Sequence, residues 1–257
     1  MHLRTASSLL LTTLLFAGSA QRAHAGPGLT LPRGRASVTA TVEMNLSAGV
    51  AGKPTSLAPD LSYGVTDALT VSLLSSTFAL TGFRGGAGRG LCLNGTDGGC
   101  AGVYDNAGIE GLYALATGPT SFAANVGLHA LDLDGGAIAA KVGAKLRHVV
   151  GAVSIATSPS MFVGLTERDT NKESLWIPVL AQYKVAPAVA LGLGTGFKGP
   201  LDGLADRWEV SFGASGVLTL SPAMNVGASW TFGKILGGAD ATGVDYRAAH
   251  LWFSFSR

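Results

Sequence analysis

Apolar and polar side chains alternate along most of the chain, in runs of roughly the 9–11 residues that a tilted strand needs to cross a bilayer. The clearest run covers residues 36–47. One face of this run carries only polar side chains, and the other carries Ala36 followed by Val38, Ala40, Val42, Met44 and Leu46. Strict alternation over this length predicts a β-strand with one apolar and one polar face.

Turn signals divide the chain into about twelve such strands, an even number that would place both termini on the same side of a membrane barrel. Residues 81–106 are predicted to form a long loop. Short turns at residues 66–67, 118–119, 150–151, 187 and 222 alternate with longer connections at 81–106, 166–174, 199–207 and 237–245. This alternation is typical of periplasmic turns and extracellular loops. The predicted strands are 36–47, 57–65, 69–80, 107–117, 122–131, 137–147, 151–165, 175–185, 189–198, 208–220, 224–236 and 246–257.

The composition favours the same fold class. Hydrophobic residues make up 47% and charged residues 13% of the chain, yet no apolar run reaches the roughly 20 residues of a spanning helix. The alternative is a secreted β-sandwich or a lipocalin-like barrel, which would bury its apolar face in a packed core. Here that face is mostly Ala, Val and Leu and recurs evenly, which suits a lipid-facing band. We therefore predict an all-β, transmembrane, antiparallel up-and-down β-barrel.

The N-terminus has the features of a signal peptide. Arg4 precedes an apolar stretch at residues 9–17, and Ala23-His24-Ala25 is a small-residue cleavage site. We expect residues 1–25 to be removed and residues 26–257 to form one barrel domain. Loss of Arg4 and Arg22 leaves 16 basic against 16 acidic residues, so a nucleic-acid partner is not expected.

Two segments resemble a known family. The last strand, Ala249-His-Leu-Trp-Phe-Ser-Phe255, has apolar residues at alternate positions and closes on aromatics, which resembles the assembly signal of bacterial outer-membrane β-barrels. In that family the aromatic is usually the last residue, whereas Ser256 and Arg257 follow it here. Residues 61–71 resemble the strand–turn–strand segments of small porin-like barrels. The resemblance implies residence in the bacterial outer membrane, contact with its lipid and transient contact with its assembly machinery.

Charged residues on the predicted polar faces are the candidates for function. Acidic ones fall on early strands and most basic ones on middle strands, so they would face each other across a lumen and set its ion selectivity. The pore-lining candidates are Glu43, Asp60, Glu110, Lys141, Lys145, Arg147, Lys184, Lys198 and Glu209.

Three functions remain open at this point. The leading hypothesis is a porin-like channel for passive diffusion of small polar solutes or ions. A non-conducting structural or surface-binding barrel, plugged by ion pairs, is the alternative, and a lipid-modifying enzyme comes third because no motif marks a nucleophile. His129 is expected to be a solvated lumen residue. No cofactor, metal or catalytic residue is implied.

The two cysteines lie in the long loop. Cys92 and Cys100 are expected to form a disulfide, because an exported protein meets an oxidising compartment. We expect a local staple on an exposed loop. Residues 81–106 could fold inward and narrow the lumen or project outward, and the sequence does not choose between these arrangements.

Overall fold

The computed structural model describes residues 28–238 and 243–257, so the predicted signal peptide lies outside the described residues. All strands in the described residues belong to one antiparallel sheet, and pairing of the first strand with both the second and the last closes it into a barrel. The strands are β1 (Ala36–Asn45), β2 (Thr55–Gly64), β3 (Leu69–Leu74), β4 (Leu91–Cys92), β5 (Ala107–Ala116), β6 (Thr120–Asp132), β7 (Ala137–Val150), β8 (Val153–Thr157), β9 (Ser160–Gly164), β10 (Ser174–Ala186), β11 (Val189–Pro200), β12 (Glu209–Ser221), β13 (Met224–Gly237) and β14 (Arg247–Ser256).

Twelve spanning strands make up the barrel wall in the part of the chain that the structure describes, which confirms the predicted fold class. The two-residue β4 belongs to a loop. β8 and β9 together make one spanning strand, because they share a single register on β10. The break between them falls at Pro159, with Pro178 of β10 beside it. Neither proline has a backbone N–H to offer the sheet, so the hydrogen-bond ladder is interrupted there.

The two faces of the barrel have opposite character. Large apolar side chains point outward, with Leu73 54% and Leu193 56% exposed, whereas Glu43, Glu110 and Lys141 are buried inside. This distribution is the reverse of a soluble barrel and matches a lipid-facing exterior. Exposed aromatic side chains near the short turns fit an interfacial girdle, and they are Tyr63, Tyr113, Tyr183, Phe253 and Phe255. No helix among the described residues is both long and apolar enough to cross a membrane.

The connections alternate between two ends of the barrel, as predicted. Residues 65–68, 117–119, 151–152, 187–188 and 222–223 form tight turns at the end that also holds the start of β1 and the end of β14. The other end carries the longer connections, with the short helix α2 (Leu204–Arg207) and a 3-10 turn at Gly243–Asp245. We call these the short-turn end and the long-loop end.

One predicted strand is too long. Residues 69–80 are predicted to form one strand, but β3 ends at Leu74, and the chain then turns into the lumen as α1 (Thr77–Thr81). Hydrogen bonds to the opposite wall, described below, hold residues 75–90 inside the barrel. We call residues 75–90 the inserted segment.

The wall above the shortened β3 is completed by a hairpin, residues 91–105, which we call the cystine hairpin. β4 pairs with β2 at Ser56 and Leu57, and Cys92 N donates to Val103 O at 2.9 Å. The predicted disulfide between Cys92 and Cys100 is present, with a Cα–Cα distance of 6.1 Å. Cys100 is buried, so the disulfide secures a patch of barrel wall and not merely an exposed loop.

Candidate functional site

A carboxylate of β2 binds the first residues of the inserted segment. Asp60 accepts hydrogen bonds from Ser75 N at 2.8 Å, Ser76 N at 3.0 Å and Ser76 Oγ at 2.6 Å. Ser76 is also the N-cap of α1, since its hydroxyl accepts from Ala79 N. The turn into the lumen is therefore fixed by one side chain of the neighbouring strand together with local capping.

A carboxylate of β1 holds both ends of the segment. Glu43 is fully buried and accepts from Thr77 N at 2.6 Å and Thr77 Oγ1 at 3.1 Å. Its second oxygen also accepts from Arg89 N at 3.2 Å. Arg89 in turn donates to Leu131 O at 2.8 Å and forms an ion pair with Asp105 at 3.2 Å. Partial burial raises the pKa of Asp105 above its usual value, with Arg89 acting in the opposite direction.

The far side of the segment is fastened to the last two strands. Thr231 Oγ1 of β13 donates to Arg84 O, and His250 Nε2 of β14 donates to Gly86 O at 2.7 Å. The Arg84 guanidinium lies between two rings, 3.8 Å from the Phe78 centroid and 3.7 Å from that of Trp252. The segment thus crosses the lumen from β2 to β14.

A buried polar cluster on β5, β6 and β7 supports α1 from the third side. Lys141 Nζ donates to Leu80 O at 2.8 Å and to Glu110. Glu110 also accepts from Asn125 Nδ2 at 2.8 Å and His129 Nε2 at 3.0 Å. His129 has no exposed surface, so the expectation of a solvated lumen residue was wrong.

The inserted segment packs against the barrel wall where α1 ends. Gly82 has a φ of +77° and a hypothetical Cβ there would lie 2.1 Å from Ser158 Oγ, so this residue allows the chain to turn against β10. The next side chain, Phe83, then packs on the inner face of β11, where a Cβ at Gly194 would lie 3.2 Å from its ring. Gly192, Gly194 and Gly196 all face inward, and the missing side chain of Gly194 leaves room for this ring.

Cavities lie on both sides of the inserted segment. The long-loop chamber has a volume of about 130 Å³ and is lined by Trp176, Phe197, Tyr246 and the upper face of the segment. The short-turn chamber consists of two cavities of about 240 and 250 Å³ that share Phe78, Ala79 and Lys145. A small cavity of about 20 Å³ lies beside Phe83 and Gly194 and shares lining residues with both chambers.

The described N-terminal residues enter the lumen at the short-turn end. Thr30 Oγ1 donates to Asp67 O at 2.9 Å, and Leu31 N donates to Thr70 Oγ1 at 2.7 Å. Pro32 lies so close to Gly64 that a Cβ there would be 2.1 Å from its carbonyl oxygen. Leu29 lines the short-turn chamber, so this segment narrows its mouth.

The structure separates the charged candidates into three groups. Glu43 and Asp60 bind the inserted segment, and Glu110 pairs with Lys141 on the adjoining wall. On the long-loop side Glu209 pairs with Lys198 at 2.7 Å and with Lys234 at 3.2 Å. Lys145 and Arg147 lie on the inward positions of β7 toward the short-turn end, and Lys184 is exposed at the rim. Whether these residues line a pore stays a prediction.

Three important lumen residues were missed by sequence reasoning. Arg84 and Phe83 lie in a Gly-rich stretch that predicted only a loop, and nothing local indicates that they point into the barrel. Trp252 was read only as part of an assembly signal, although its position in the alternation of β14 places it on the inward face with His250. The alternation of β14 could therefore have identified Trp252 as a lumen residue.

Comparisons with known proteins agree with this fold. No family model and no curated protein matches the sequence. Among solved structures, the chain is similar to the NanC porin, with a TM-score of 0.57 and 10% identity over 84% of this chain and 98% of that one. It is also similar to the KdgM porin, described in complex with disordered oligogalacturonate, with a TM-score of 0.55 and 7% identity over 85% and 98% of the two chains.

The closed twelve-stranded barrel, its apolar exterior and its polar lumen define a bacterial outer-membrane protein with a porin-like barrel fold. Outer-membrane barrels have short turns on the periplasmic side and longer loops on the extracellular side. We therefore assign the short-turn end to the periplasmic side and the long-loop end to the extracellular side.

Proposed function

We propose that the barrel is a channel for passive diffusion of small polar solutes or ions across the outer membrane, narrowed by the inserted segment. The observation that carries this proposal is the pair of chambers that nearly meet at Phe83. A plug built only for support would fill the lumen on at least one side. Here the inserted segment leaves a cavity on each side, and Phe83 packs against Gly194 where the two sides come closest.

Lipid against the apolar exterior and the outer-membrane assembly machinery are the other partners that we propose. The exposed apolar band supports the first, and the alternation of the last strand supports the second. We propose a channel and not an enzyme, because the buried polar clusters described above serve to hold the inserted segment.

Single-channel conductance in a planar bilayer tests the proposal. The refolded, leader-free protein should give small, discrete, salt-dependent steps. Because the Phe83 ring lines the small cavity that adjoins both chambers, Phe83→Ala should widen this passage and raise the step size roughly two-fold or more. Phe253→Ala removes an aromatic ring from the outer face and should leave the step unchanged. A protein that inserts but stays silent, with and without Phe83, would instead favour the non-conducting structural or surface-binding barrel.

A further inference from the structure

The short-turn chamber contains more cations than carboxylates, since Arg84, Lys141 and Lys145 line its two cavities against Asp60 and Glu110. Arg84 projects from the inserted segment and Lys145 from β7, and both line the same cavity. Neither forms an ion pair with any residue that the structure describes. The Arg84 Nε is enclosed and has no hydrogen-bond acceptor. Asp60 interacts electrostatically with Arg84, and Glu110 with Lys145, but neither carboxylate forms an ion pair with these cations. The remaining excess of one cation favours an anion from solution.

The two carboxylates that line this cavity, Asp60 and Glu110, already accept hydrogen bonds from other groups. Asp60 accepts three hydrogen bonds from Ser75 and Ser76, and Glu110 accepts from Asn125, His129 and Lys141. These donors orient both carboxylates, so the N–H groups of Arg84 and Lys145 have no carboxylate partner among the described residues. The long-loop chamber differs, because Lys198 and Lys234 are both paired with Glu209.

The Arg84 guanidinium is held in one orientation. Phe78 and Trp252 cover its two faces at 3.8 and 3.7 Å, so its N–H edge is the part available to a ligand. A planar guanidinium binds the two oxygens of a carboxylate or phosphate group in parallel, and fixing its plane in advance lowers the entropy cost of binding. The rest of this cavity carries hydroxyl groups that can donate hydrogen bonds, and they belong to Thr39, Thr41, Ser62, Ser72 and Ser254.

We propose that the short-turn chamber binds a small oxyanion, with Arg84 and Lys145 contacting its carboxylate or phosphate oxygens, and that this site makes the channel prefer anions. The binding part of the proposal stands on the chamber alone. The preference for anions rests on the proposed channel function. The cavities of about 240 and 250 Å³ limit the ligand to a small solute.

Trp252 provides a direct measure of binding, because it contacts Arg84. The chain has four tryptophans, and Trp176→Phe, Trp208→Phe and Trp230→Phe would leave Trp252 as the single emitter. Refolded leader-free protein of this kind would be titrated with sodium acetate and with sodium phosphate, at ionic strength kept constant with sodium chloride. We expect a saturable change in Trp252 emission with at least one of the two anions. The comparison of acetate with phosphate tells a carboxylate site from a phosphate site.

Three variants identify the residues responsible. Arg84→Gln and Lys145→Gln should each weaken binding about ten-fold or more, the loss expected for one charge-assisted hydrogen bond. Lys198→Gln removes a cation on the other side of the inserted segment and should leave binding unchanged. Lys145 makes no hydrogen bond to the inserted segment, so its variant remains informative if Arg84→Gln disturbs folding. No saturable response to acetate or phosphate, or equal weakening by Lys198→Gln, would overturn the site.

The reversal potential in a salt gradient separates this inference from the proposed function. Open channels that favour anions, with the preference reduced by Arg84→Gln and by Lys145→Gln, support both. Open channels whose selectivity none of these variants changes would refute the assigned anion preference while the channel stands. A silent barrel whose Trp252 still responds to anions would refute the channel and leave the binding site in place.

Discussion

Glu110 is 3% exposed and sits among three hydrogen-bond donors on neighbouring strands, so its charge is balanced inside the wall. Lys141 connects this carboxylate to the last carbonyls of α1, where a cation also complements the helix dipole. At the scale of single residues, the buried charges of this barrel act mainly as anchors for the inserted segment.

Lys141→Met should destabilise the protein strongly. The change leaves the Glu110 carboxylate buried without its cation, and loss of one partner of a buried pair costs about 3–5 kcal/mol. Urea unfolding of the refolded barrel in lipid vesicles would measure the difference. Lys184→Met, at an exposed rim position, is the matched control and should change stability little. Equal midpoints for the two variants would show that the Glu110–Lys141 pair does not stabilise the fold.

At the scale of elements, the inserted segment is held by hydrogen bonds to three parts of the barrel wall and by one close backbone contact. Gly82 ends α1 in the left-handed conformation and lies against Ser158 and Pro178. The interruption between β8 and β9 is located at this contact, because Pro159 and Pro178 remove ladder hydrogen bonds there. The position of the segment therefore depends on side-chain volume as well as on hydrogen bonds.

Gly82→Ala should loosen the inserted segment without unfolding the barrel. The added Cβ would meet Ser158 Oγ at 2.1 Å and would require a positive φ, which costs an alanine about 1–2 kcal/mol. We expect faster proteolytic cleavage within residues 75–90 and noisier channel currents. Gly86→Ala is the control, since its Cβ would meet nothing closer than 3.8 Å. Similar cleavage rates in both variants would contradict the role given to Gly82.

At the scale of the whole molecule, the distribution of apolar side chains indicates a single band around the barrel. Leu193 lies on the outer face of β11, between the short-turn and long-loop ends, whereas Leu201 lies in the connection that follows this strand. Both are exposed, so only their position relative to the bilayer distinguishes them.

Leu193→Arg should cost about 2–4 kcal/mol of stability in a bilayer, because a charge is placed toward the hydrocarbon core. Leu201→Arg should cost far less, since a loop residue remains in water. Unfolding of both variants from lipid vesicles would give the two values. If they were equal, the apolar band would not mark the membrane.

The strand pattern was predictable from the sequence because each strand has one lipid-facing side, and that environment imposes alternation locally. Val38 and Val42 face outward and Glu43 inward as the pattern predicted. The inserted segment was not predictable in the same way. Residues 75–80 contain no Gly or Pro that would mark the end of β3, and contacts with the distant Asp60 and Glu43 turn them inward.

The fastening of the inserted segment to β13 and β14 has a consequence for assembly. Arg84 and Gly86 find their partners Thr231 and His250 at separations of 147 and 164 residues, so these contacts form only when the end of the chain is in place. Long-range contacts of this kind are slow to form. A barrel arrested before its final hairpin joins would therefore have a wider lumen than the finished protein. The inserted segment is therefore fixed across the lumen by the same assembly step that closes the barrel wall.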